Sequence, residues 1–351
     1  MLNQYQFSMT LRKKFLLNRD VLPIFSNPKI VLPELSENPI LTVIIAHKNG
    51  KKYLLDTLNT ISNQSFKDYE VVVIDGESTD GSLEILKGIP NLRLLSEKDG
   101  GIDDAFSKGL KIARGKYVTH CCVSDGYLDV NWFKNAVEML ERNKWASLVW
   151  AFPRVLEKNN TLGRVSYPLL HFLHPPSGVK FFEFWIKSKL PFPEGNYIIN
   201  REVMKVCFPE RPSDVSKYSE LAYDPWLMVI IKFHSQGYLS VFHNSIANYG
   251  RIHDGSITNE INLGKRDLEI LTNYHNLVTE IMENCLSGST LKSFIDSQGN
   301  ILEQYSKEKF LPRLHFLEFK LQAIQNALNI LNFLDRRIEQ VFRILKLIRR
   351  V

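Results

Sequence analysis

The chain has 351 residues, of which 44% are apolar and 23% charged, a composition typical of a globular protein with one large domain or two smaller ones. Its net charge is +6, and residues 301–351, with ten Lys or Arg and five acidic residues, carry +5 of it. The first 300 residues are therefore nearly neutral, which argues against a nucleic-acid-binding surface on the main body. No apolar run approaches the roughly 18 residues that a membrane-spanning helix needs.

The N-terminal pattern and the cysteines favour a cytoplasmic protein. The N-terminal residues lack the apolar block and the cleavage site of a signal peptide. The four cysteines, of which Cys121 and Cys122 are adjacent, fit reduced thiols and have no zinc-ligand spacing. Residues 1–40 alternate short apolar clusters with prolines, so we expect an extended lead-in segment there.

Strands and helices alternate from Leu41 onward. Short apolar runs predict strands at 41–46, 69–75, 91–96 and 116–123, and helical periodicity predicts helices at 51–63, 82–88 and 103–113. Strands that are apolar throughout and separated by helices indicate an α/β fold with a parallel sheet covered on both faces. Ligands of such sheets bind beyond the carboxyl ends of the strands, so the loops at those ends form the candidate site.

Beyond residue 150 the alternation is looser. An aromatic, proline-rich segment at 167–193 precedes a predicted strand at 195–200, a helix at 224–237, a strand at 238–244 and a loop at 248–258. From residue 262 onward we expect a mostly helical chain. Apolar residues at alternating three- and four-residue steps from Leu317 to Ile348 predict a long amphipathic helix with a basic end.

Acidic residues follow three of the four predicted strands. They are Asp75 and Asp80 after the second strand, Asp99, Asp103 and Asp104 after the third, and Asp125 after the fourth. Carboxylates gathered at one sheet edge repel one another unless a cation or a donor-rich ligand joins them. Helix N-capping is the alternative, which we favour for Asp80 and weigh equally for Asp103. It is weaker for Asp75 and Asp125, because each ends an apolar strand before a glycine.

Two common phosphate-binding motifs are absent from these loops. AHKNGKK, after the first strand, has a single glycine and lacks the G-x-G-x-x-G of dinucleotide-binding folds. The segment from Gly76 to Ser82 has the glycine spacing of a P-loop without its lysine. A nucleotidyltransferase is disfavoured as well, because the loop after the first strand is not glycine-rich.

Four successive segments resemble a known enzyme family. LTVIIAHKNG, VVVIDGESTDGSLEIL, SEKDGGIDDAFSKGLKIARGKYV and VSDGYLD resemble, in this order, the motifs of a family 2 glycosyltransferase of the GT-A fold. PEGNYIINREVM, AYDPWLM and ANYGRIHDGS are similar to later blocks of the family. The resemblance implies a mostly parallel, Rossmann-like central sheet with helices on both faces, followed here by a helical C-terminal extension.

With this resemblance the chain divides into four predicted segments. They are the lead-in at 1–40, a nucleotide-sugar-binding half at 41–150, an acceptor-binding half at 151–261 and the helical extension at 262–351. The basic end of the extension suits an anionic membrane surface, while docking on the catalytic domain and self-association are the alternatives.

The resemblance implies inverting transfer of a sugar from a nucleotide-diphospho-sugar to a hydroxyl acceptor. A UDP- or dTDP-sugar is the favoured donor, and a glycan or lipid-linked molecule the expected acceptor, in surface polysaccharide or lipopolysaccharide assembly. Such a protein would be cytoplasmic, with peripheral association at the inner face of the membrane. The alternative is a catalytically degenerate GT-A domain that only binds a nucleotide sugar or a partner.

The resemblance also assigns residues to the donor. They are Ala46, His47, Asp75, Asp99, Asp104, Asp125 and Arg251. Asp75 would accept from the base or the ribose, with Ala46 and His47 beside the nucleotide. Asp99 would contact the nucleotide or the sugar, and Asp104 the sugar hydroxyls, with helix capping as its alternative.

Asp125 is the candidate metal ligand, for a Mg²⁺ or Mn²⁺ ion that bridges the two phosphates. Ser124 stands where the family has a further acid and Gly126 follows, so a low metal affinity is expected. His253 is the candidate second ligand or a phosphate contact, and a solvated loop histidine is the alternative. Arg251 is a candidate for neutralising the diphosphate.

Asp224 is the candidate catalytic base, which would take the proton of the acceptor hydroxyl. Pro225 after it marks a helix start, so Asp224 also fits an N-cap, and the two roles are compatible. Glu220 is the fallback base. The aromatic residues from Phe181 to Trp185 are expected to pack in the core, with stacking on a sugar as the alternative.

Overall fold

A computed structural model describes residues 29–165, 177–188, 196–208, 225–254, 275–280 and 292–305, together with residues 322 and 326. In chain order the elements are β1 (Leu41–His47), α1 (Lys51–Ser62), β2 (Tyr69–Asp75), α2 (Ser82–Lys87), β3 (Leu92–Ser96), α3 (Ile102–Ile112), β4 (Tyr117–His120), β5 (Gly126–Tyr127), α4 (Trp132–Arg142), β6 (Leu148–Leu156), β7 (Leu162–Val165), α5 (Val179–Ser188), β8 (Tyr197–Asn200), α6 (Arg201–Cys207), α7 (Pro225–Gln236), β9 (Ser240–Arg251), β10 (Lys292–Ile295) and β11 (Ile301–Tyr305). Among these helices, none has the length and hydropathy to cross a bilayer.

A nine-stranded sheet runs in the order β3-β2-β1-β4-β8-β6-β9-β5, with β7 paired to β6. The first four strands pair in parallel around β1. Beyond β4 the sheet is mixed, because β8 is antiparallel to β4 and β6 while β6 and β9 are parallel. The α/β class is thus confirmed, and the antiparallel pairings fall where the strand–helix alternation loosens in the sequence.

Both faces of the parallel part are covered, as its continuously apolar strands predict. In β1, Val43 and Ile45 pack in the hydrophobic cluster that contains the apolar residues of α1 and α4. Ile44 between them packs in a second cluster with residues of α3, α5 and α7. All three side chains are fully buried, which explains why no polar residue interrupts this run.

The aromatic stretch of α5 is part of the core. Phe181, Phe182, Phe184 and Trp185 are each at most 2% exposed. They pack with Trp150 of β6 and the apolar face of α7 in one cluster. The preferred interpretation of this stretch, core packing, is therefore confirmed.

The expectation of a mostly helical chain after residue 262 is wrong for residues 292–305, which form an antiparallel β-hairpin. Its turn is held by Asp296, whose Oδ1 accepts from the N–H groups of Gln298 and Asn300 at 2.8 and 2.9 Å. Phe294 is fully buried in the core, and the Ile295 N–H donates to the Gly237 carbonyl at the end of α7 (3.0 Å). Turn chemistry and burial of one strand residue therefore prevail over helix propensity here. Residues 275–280, 322 and 326 are helical, and the rest of the predicted C-terminal helix lies outside the described residues.

Candidate active site

The loops after β1 and β2 are hydrogen-bonded to each other. The Gly76 N–H donates to the His47 carbonyl at 2.9 Å. The Asn49 N–H donates to Ser78 Oγ (2.9 Å), and the Thr79 N–H donates to Asn49 Oδ1 (2.8 Å). These two loops at the carboxyl edge of the sheet therefore behave as one unit.

The Asp80 carboxylate accepts hydrogen bonds from the first residues of two helices at this edge. Its Oδ2 accepts from the N–H of Lys51, the first residue of α1 (2.8 Å), and its Oδ1 accepts from the N–H (3.0 Å) and the hydroxyl of Ser82, the first residue of α2. Desolvation on its own would raise the pKa of Asp80, but these hydrogen bonds lower it to about 2. Asp80 thus satisfies N–H groups at both helix starts, as capping requires, but the N-cap position of α2 is Gly81, one residue later.

Asp75 and His47 form a buried pair at the ends of β2 and β1. Asp75 Oδ2 accepts from the Ser96 hydroxyl (2.7 Å) and from the Ser78 N–H (3.1 Å). Burial raises the pKa of Asp75, but these hydrogen bonds outweigh it and hold the pKa below its usual value. Burial lowers the pKa of His47, although Asp75 and Asp80 oppose the shift. The pair is therefore a carboxylate beside a neutral imidazole.

One oxygen of Asp75 remains available. Oδ1 receives no hydrogen bond from the residues that the structure describes, and it lies 3.9 Å from His47 Nε2. Both ring nitrogens of His47 also lack hydrogen-bond partners within that part of the chain. Since both side chains are fully buried, these atoms are groups that a ligand or an ordered water would satisfy.

Asp99 lies against the end of β2. A Cβ at Gly76 would meet the Asp99 carboxylate, so any side chain there would displace that carboxylate. Asp99 Oδ1 also accepts from the Gly101 N–H at 3.0 Å. The structure thus brings Asp99 against Gly76, the residue after Asp75, and the assignment of both acids to one donor site stays a prediction.

Asp104 lies in the first turn of α3 and makes local contacts. Its Oδ2 accepts from the Gly100 N–H (2.9 Å) and lies 3.4 Å from Lys108 Nζ. Lys108 also pairs with Glu97 at 2.8 Å. This is a cap-like arrangement at the helix start, and a contact of Asp104 with the donor sugar stays a prediction.

Asp125 follows β4 in a loop that is bonded to the end of β9. Its Oδ1 accepts from the Arg251 N–H (3.0 Å) and from the Ser124 hydroxyl (3.3 Å). Burial raises the pKa of Asp125 to about 6 in spite of these hydrogen bonds. Oδ2 receives no hydrogen bond from the described residues. The ionised form of Asp125 is therefore held weakly by the protein alone, which is the situation that a nearby cation reverses.

The guanidinium of Arg251 is engaged within the protein. Nη2 donates to Asp56 Oδ2 (3.0 Å), Nη1 to Asn160 Oδ1, and Nε to the Ser124 carbonyl (3.1 Å). The group also lies 4.9 Å from the ring centroid of Tyr53. Arg251 braces the Asp125 loop in this structure, and its role toward a diphosphate stays a prediction.

His253 lies beyond β9, with its ring centroid 5.1 Å from that of Tyr53. Burial, followed by the charges of Arg251 and Lys52, lowers the pKa of His253, so the ring is neutral and able to bind a metal through nitrogen. The described residues contain no cluster of three or more His, Cys, Asp or Glu suited to a metal ion. The described residues alone therefore do not form a complete metal site, and a cation at Asp125 and His253 stays a prediction.

The start of α7 lies at the carboxyl end of β4. Trp226 in its first turn stacks on His120, the last residue of β4, with ring centroids 3.7 Å apart and planes at 7°. Burial lowers the pKa of His120 to about 3 and keeps it neutral. Asp224 and Glu220 precede this helix and lie outside the described residues, so their roles as candidate bases stay predictions.

Three residues at this site escaped the sequence analysis, namely Asp56, Thr57 and Thr60 of α1. Each bonds to the Asp125 loop or to Arg251. In the sequence they are visible only as polar positions among the apolar residues of α1. The sequence points to site residues in the loops after strands, whereas these three lie on a helix.

Part of the chain matches a known protein family. Residues 42–208 match the model of the family described as Glycosyl transferase family 2. The chain carries a family 2 glycosyltransferase domain. Its class, a glycosyltransferase enzyme, is thereby confirmed.

Two relatives of this glycosyltransferase differ in how much of it they match. An uncharacterized glycosyltransferase of Haemophilus influenzae is 24% identical over 329 residues, which cover 87% of this chain and 99% of the relative. The Escherichia coli protein WfaP, named a UDP-Glc:α-D-GlcNAc-diphosphoundecaprenol β-1,3-glucosyltransferase, is 29% identical over 108 residues. That match covers 30% of this chain and 43% of WfaP.

The fold has a counterpart among solved structures. Residues 1–349 of S. aureus TarS, crystallised with UDP-GlcNAc, superpose with a TM-score of 0.50 at 18% identity. The superposition covers 70% of the glycosyltransferase and 66% of the TarS chain. At this identity the likeness concerns the fold alone, and it supports the GT-A assignment.

Proposed function

We propose that this glycosyltransferase moves a sugar from a nucleotide-diphospho-sugar to a hydroxyl acceptor with inversion at the anomeric carbon. The observation that carries the proposal is the arrangement at the carboxyl edge of β1 to β4. There the available oxygen of Asp75 and the weakly held carboxylate of Asp125 follow strands of the same parallel sheet. One carboxylate suits a neutral hydrogen-bond donor and the other suits a cation, which is the combination that a nucleotide diphosphate with a divalent ion requires.

The nucleotide is proposed to bind at Asp75. An ionised carboxylate only accepts hydrogen bonds, so it favours a ring N–H or a ribose hydroxyl. Uracil and thymine carry such an N–H, whereas the equivalent cytosine nitrogen is an acceptor. WfaP is named for a UDP-sugar and TarS was crystallised with one, so UDP-sugars are the first donors to test and dTDP-sugars the second. Ala46, His47, Asp99 and Asp104 would complete the donor contacts.

The family implies a divalent cation, Mg²⁺ or Mn²⁺, and the donor set fits it. Such ions take one or two protein carboxylates and fill the remaining positions with water and phosphate oxygens. Asp125 has one oxygen free of hydrogen bonds from the described residues, and His253 is neutral. We propose that these two residues hold the ion. When bound, the cation would stabilise the negative charge that develops on the leaving diphosphate.

The acceptor is proposed to bind between the donor and the start of α7. Asp224, just before Pro225, would take the proton of the acceptor hydroxyl on the face opposite the leaving group. The stack of Trp226 on His120 supports this placement, because it fixes the start of α7 at the sheet edge. WfaP is named for a diphosphoundecaprenol-linked acceptor. A glycan or lipid-linked acceptor in surface polysaccharide assembly, met at a membrane surface, is the setting we propose.

The test is calorimetry with UDP, dTDP, GDP and CDP, with and without Mn²⁺, followed by assays of donor hydrolysis. We expect UDP or dTDP to bind, Mn²⁺ to strengthen binding, and the cognate UDP- or dTDP-sugar to be hydrolysed slowly. If no nucleoside diphosphate binds, the proposal is wrong. Binding without hydrolysis or transfer would instead favour the degenerate, binding-only domain.

A further inference from the structure

One side of α1 is hydrogen-bonded directly to the loop that carries Asp125. Thr57 Oγ1 accepts from the Ser124 N–H (3.1 Å) and donates to the Asp125 backbone carbonyl (2.7 Å). Thr60, on the same side one turn later, accepts from the Tyr127 N–H at 3.1 Å. Two threonine hydroxyls therefore replace the regular backbone partners that this short irregular loop lacks.

The loop needs these partners because its backbone is strained. Ser124 has φ 105°, a conformation that residues with a side chain rarely adopt. Its N–H is held by Thr57 and its carbonyl by Arg251 Nε at 3.1 Å. Such a conformation persists only where the surroundings fix it from several sides.

The helix and the loop are in direct contact. A Cβ at Gly126 would lie 2.7 Å from both Thr60 Oγ1 and the Tyr249 hydroxyl, so the loop is sandwiched between α1 and β9. Thr57 is fully buried, and the two hydrogen bonds that its hydroxyl makes both go to this loop. Loss of that hydroxyl would leave the Ser124 N–H and the Asp125 carbonyl without these partners.

Asp125 is thus oriented from two directions. Thr57 holds its backbone carbonyl, and the Arg251 N–H holds its side-chain Oδ1. At the other end of α1, Asp80 binds the N–H of Lys51. The helix therefore links the loop of the nucleotide site to the loop of the diphosphate site.

We propose that Thr57 is a positioning residue for Asp125. Its hydroxyl fixes the loop backbone so that the free carboxylate oxygen points to the donor diphosphate and its cation. This inference rests on the proposed function, which assigns the cation to Asp125. It makes the Thr57 hydroxyl a determinant of metal affinity, although Thr57 itself touches neither metal nor substrate.

The test compares Thr57→Val, which keeps the branched shape, with Thr57→Ser, which keeps the hydroxyl, and with Thr60→Val as the matched control. The measurements are UDP affinity with and without Mn²⁺ and amide hydrogen exchange of residues 124–127 without metal. For Thr57→Val we expect Mn²⁺-dependent affinity to fall about tenfold or more, as for other residues that support metal ligands. Metal-free UDP affinity should stay unchanged, and the Ser124 amide should exchange faster. Thr57→Ser should restore wild-type behaviour, and Thr60→Val should keep the Mn²⁺ effect.

Three results would overturn the inference. They are a Thr57→Val variant with wild-type Mn²⁺ dependence, a Thr57→Ser variant as impaired as Thr57→Val, or a Thr60→Val variant with the same loss. If Thr57→Val does not fold, Thr57→Ala carries the same comparison. A wild-type protein that binds UDP without any Mn²⁺ effect would overturn the cation site itself, a failure that is distinguishable from the first three.

Discussion

Asp75 and Asp125 both follow parallel strands at the same sheet edge, yet their surroundings move their pKa values in opposite directions. Asp75 is fully buried, but hydrogen bonds from Ser78 and Ser96 hold its pKa below the usual value. Asp125 has weaker support, and burial raises its pKa to about 6. The difference shows that position after a strand does not set the chemistry of a carboxylate. The balance between burial, which raises the pKa, and the hydrogen bonds to the carboxylate, which lower it, does.

The largest effect is expected from Asp125→Ala. Loss of the carboxylate that is proposed to face the diphosphate should abolish Mn²⁺-enhanced UDP binding and cut turnover about 100-fold or more, the scale of one electrostatic transition-state contact. Calorimetry and donor turnover measure both, with the unfolding midpoint as the control for folding. Unchanged activity in a folded variant would refute the role of Asp125.

Asp224→Asn should separate the transfer step from both carboxylate sites. A base acts on the acceptor, so transfer should fall by about 100-fold or more while UDP-sugar affinity stays at the wild-type value. Transfer assays and equilibrium binding on the same preparation provide the comparison. A parallel loss of donor affinity would make Asp224 a cap or a donor contact instead.

Asp75→Asn should weaken UDP binding about tenfold, equally with and without Mn²⁺. The amide retains one acceptor oxygen but loses the charge that strengthens its hydrogen bond. Because Asn has nearly the shape of Asp, the substitution changes little besides the charge. Ser96→Ala is the matched control, because it removes a hydrogen bond to Asp75 Oδ2 and keeps the charge, and we expect it to have the smaller effect on UDP affinity. A loss confined to the Mn²⁺-dependent part would place Asp75 at the cation instead of the nucleotide.

The two pKa shifts predict opposite effects of pH on stability. Because the pKa of Asp125 is raised, its contribution to stability is present at low pH and is lost as the pH rises from about 4 through about 6. Asp125→Asn should therefore stabilise the metal-free protein at pH 7 by roughly 1–2 kcal/mol. The contribution of Asp75 has the opposite sign, being present above its unfolded-state pKa and lost as the pH falls through its lowered folded-state value, so Asp75→Asn should destabilise. Urea unfolding at pH 4 and pH 7 measures the change in the free energy of unfolding for each variant. A change of the same sign at pH 7 in Asp125→Asn and Asp75→Asn would contradict the predicted difference between the two carboxylates.

The smallest effect on the sheet-edge sites is expected from truncation after Asp335. Donor hydrolysis should be unchanged, whereas binding to anionic liposomes should weaken, at roughly 1 kcal/mol for each cation lost. Sedimentation with vesicles at rising salt is the measurement, and the full-length chain should show a steep salt dependence. Equal vesicle binding by the two forms would leave docking or self-association as the role of this segment.

The sequence predicts the parallel part of the sheet well because local pattern and burial agree there. The four predicted strands and three helices lie within a few residues of β1 to β4 and α1 to α3. The fourth strand ends at His120, three residues early, where the strained Ser124 turn approaches. Local periodicity carries no information about such a turn, because Thr57, 67 residues away, supports it.

The second half is harder to predict because its pairings are distant in sequence. β6 contains Pro153 and Arg154 and pairs in parallel with β9, whose Ser240 aligns with Leu148. No short-range signal specifies that pairing. At the site, the sequence singles out residues in loops, whereas the hydrogen bonds of α1 to the Asp125 loop depend on how a helix packs against it.

The β10–β11 hairpin fixes the point from which the chain continues toward the predicted amphipathic segment at its C-terminal end. Phe294 is buried in the core and Ile295 is bonded to Gly237, so the chain leaves the catalytic domain from a fixed point near Tyr305. Residues 306–316 separate that point from Leu317, where the amphipathic pattern begins, and fully extended they span at most about 40 Å. If the amphipathic segment binds a membrane, as predicted, the membrane surface at Leu317 would lie within about that distance of the hairpin, which limits how far the sheet edge can be from a lipid-linked acceptor.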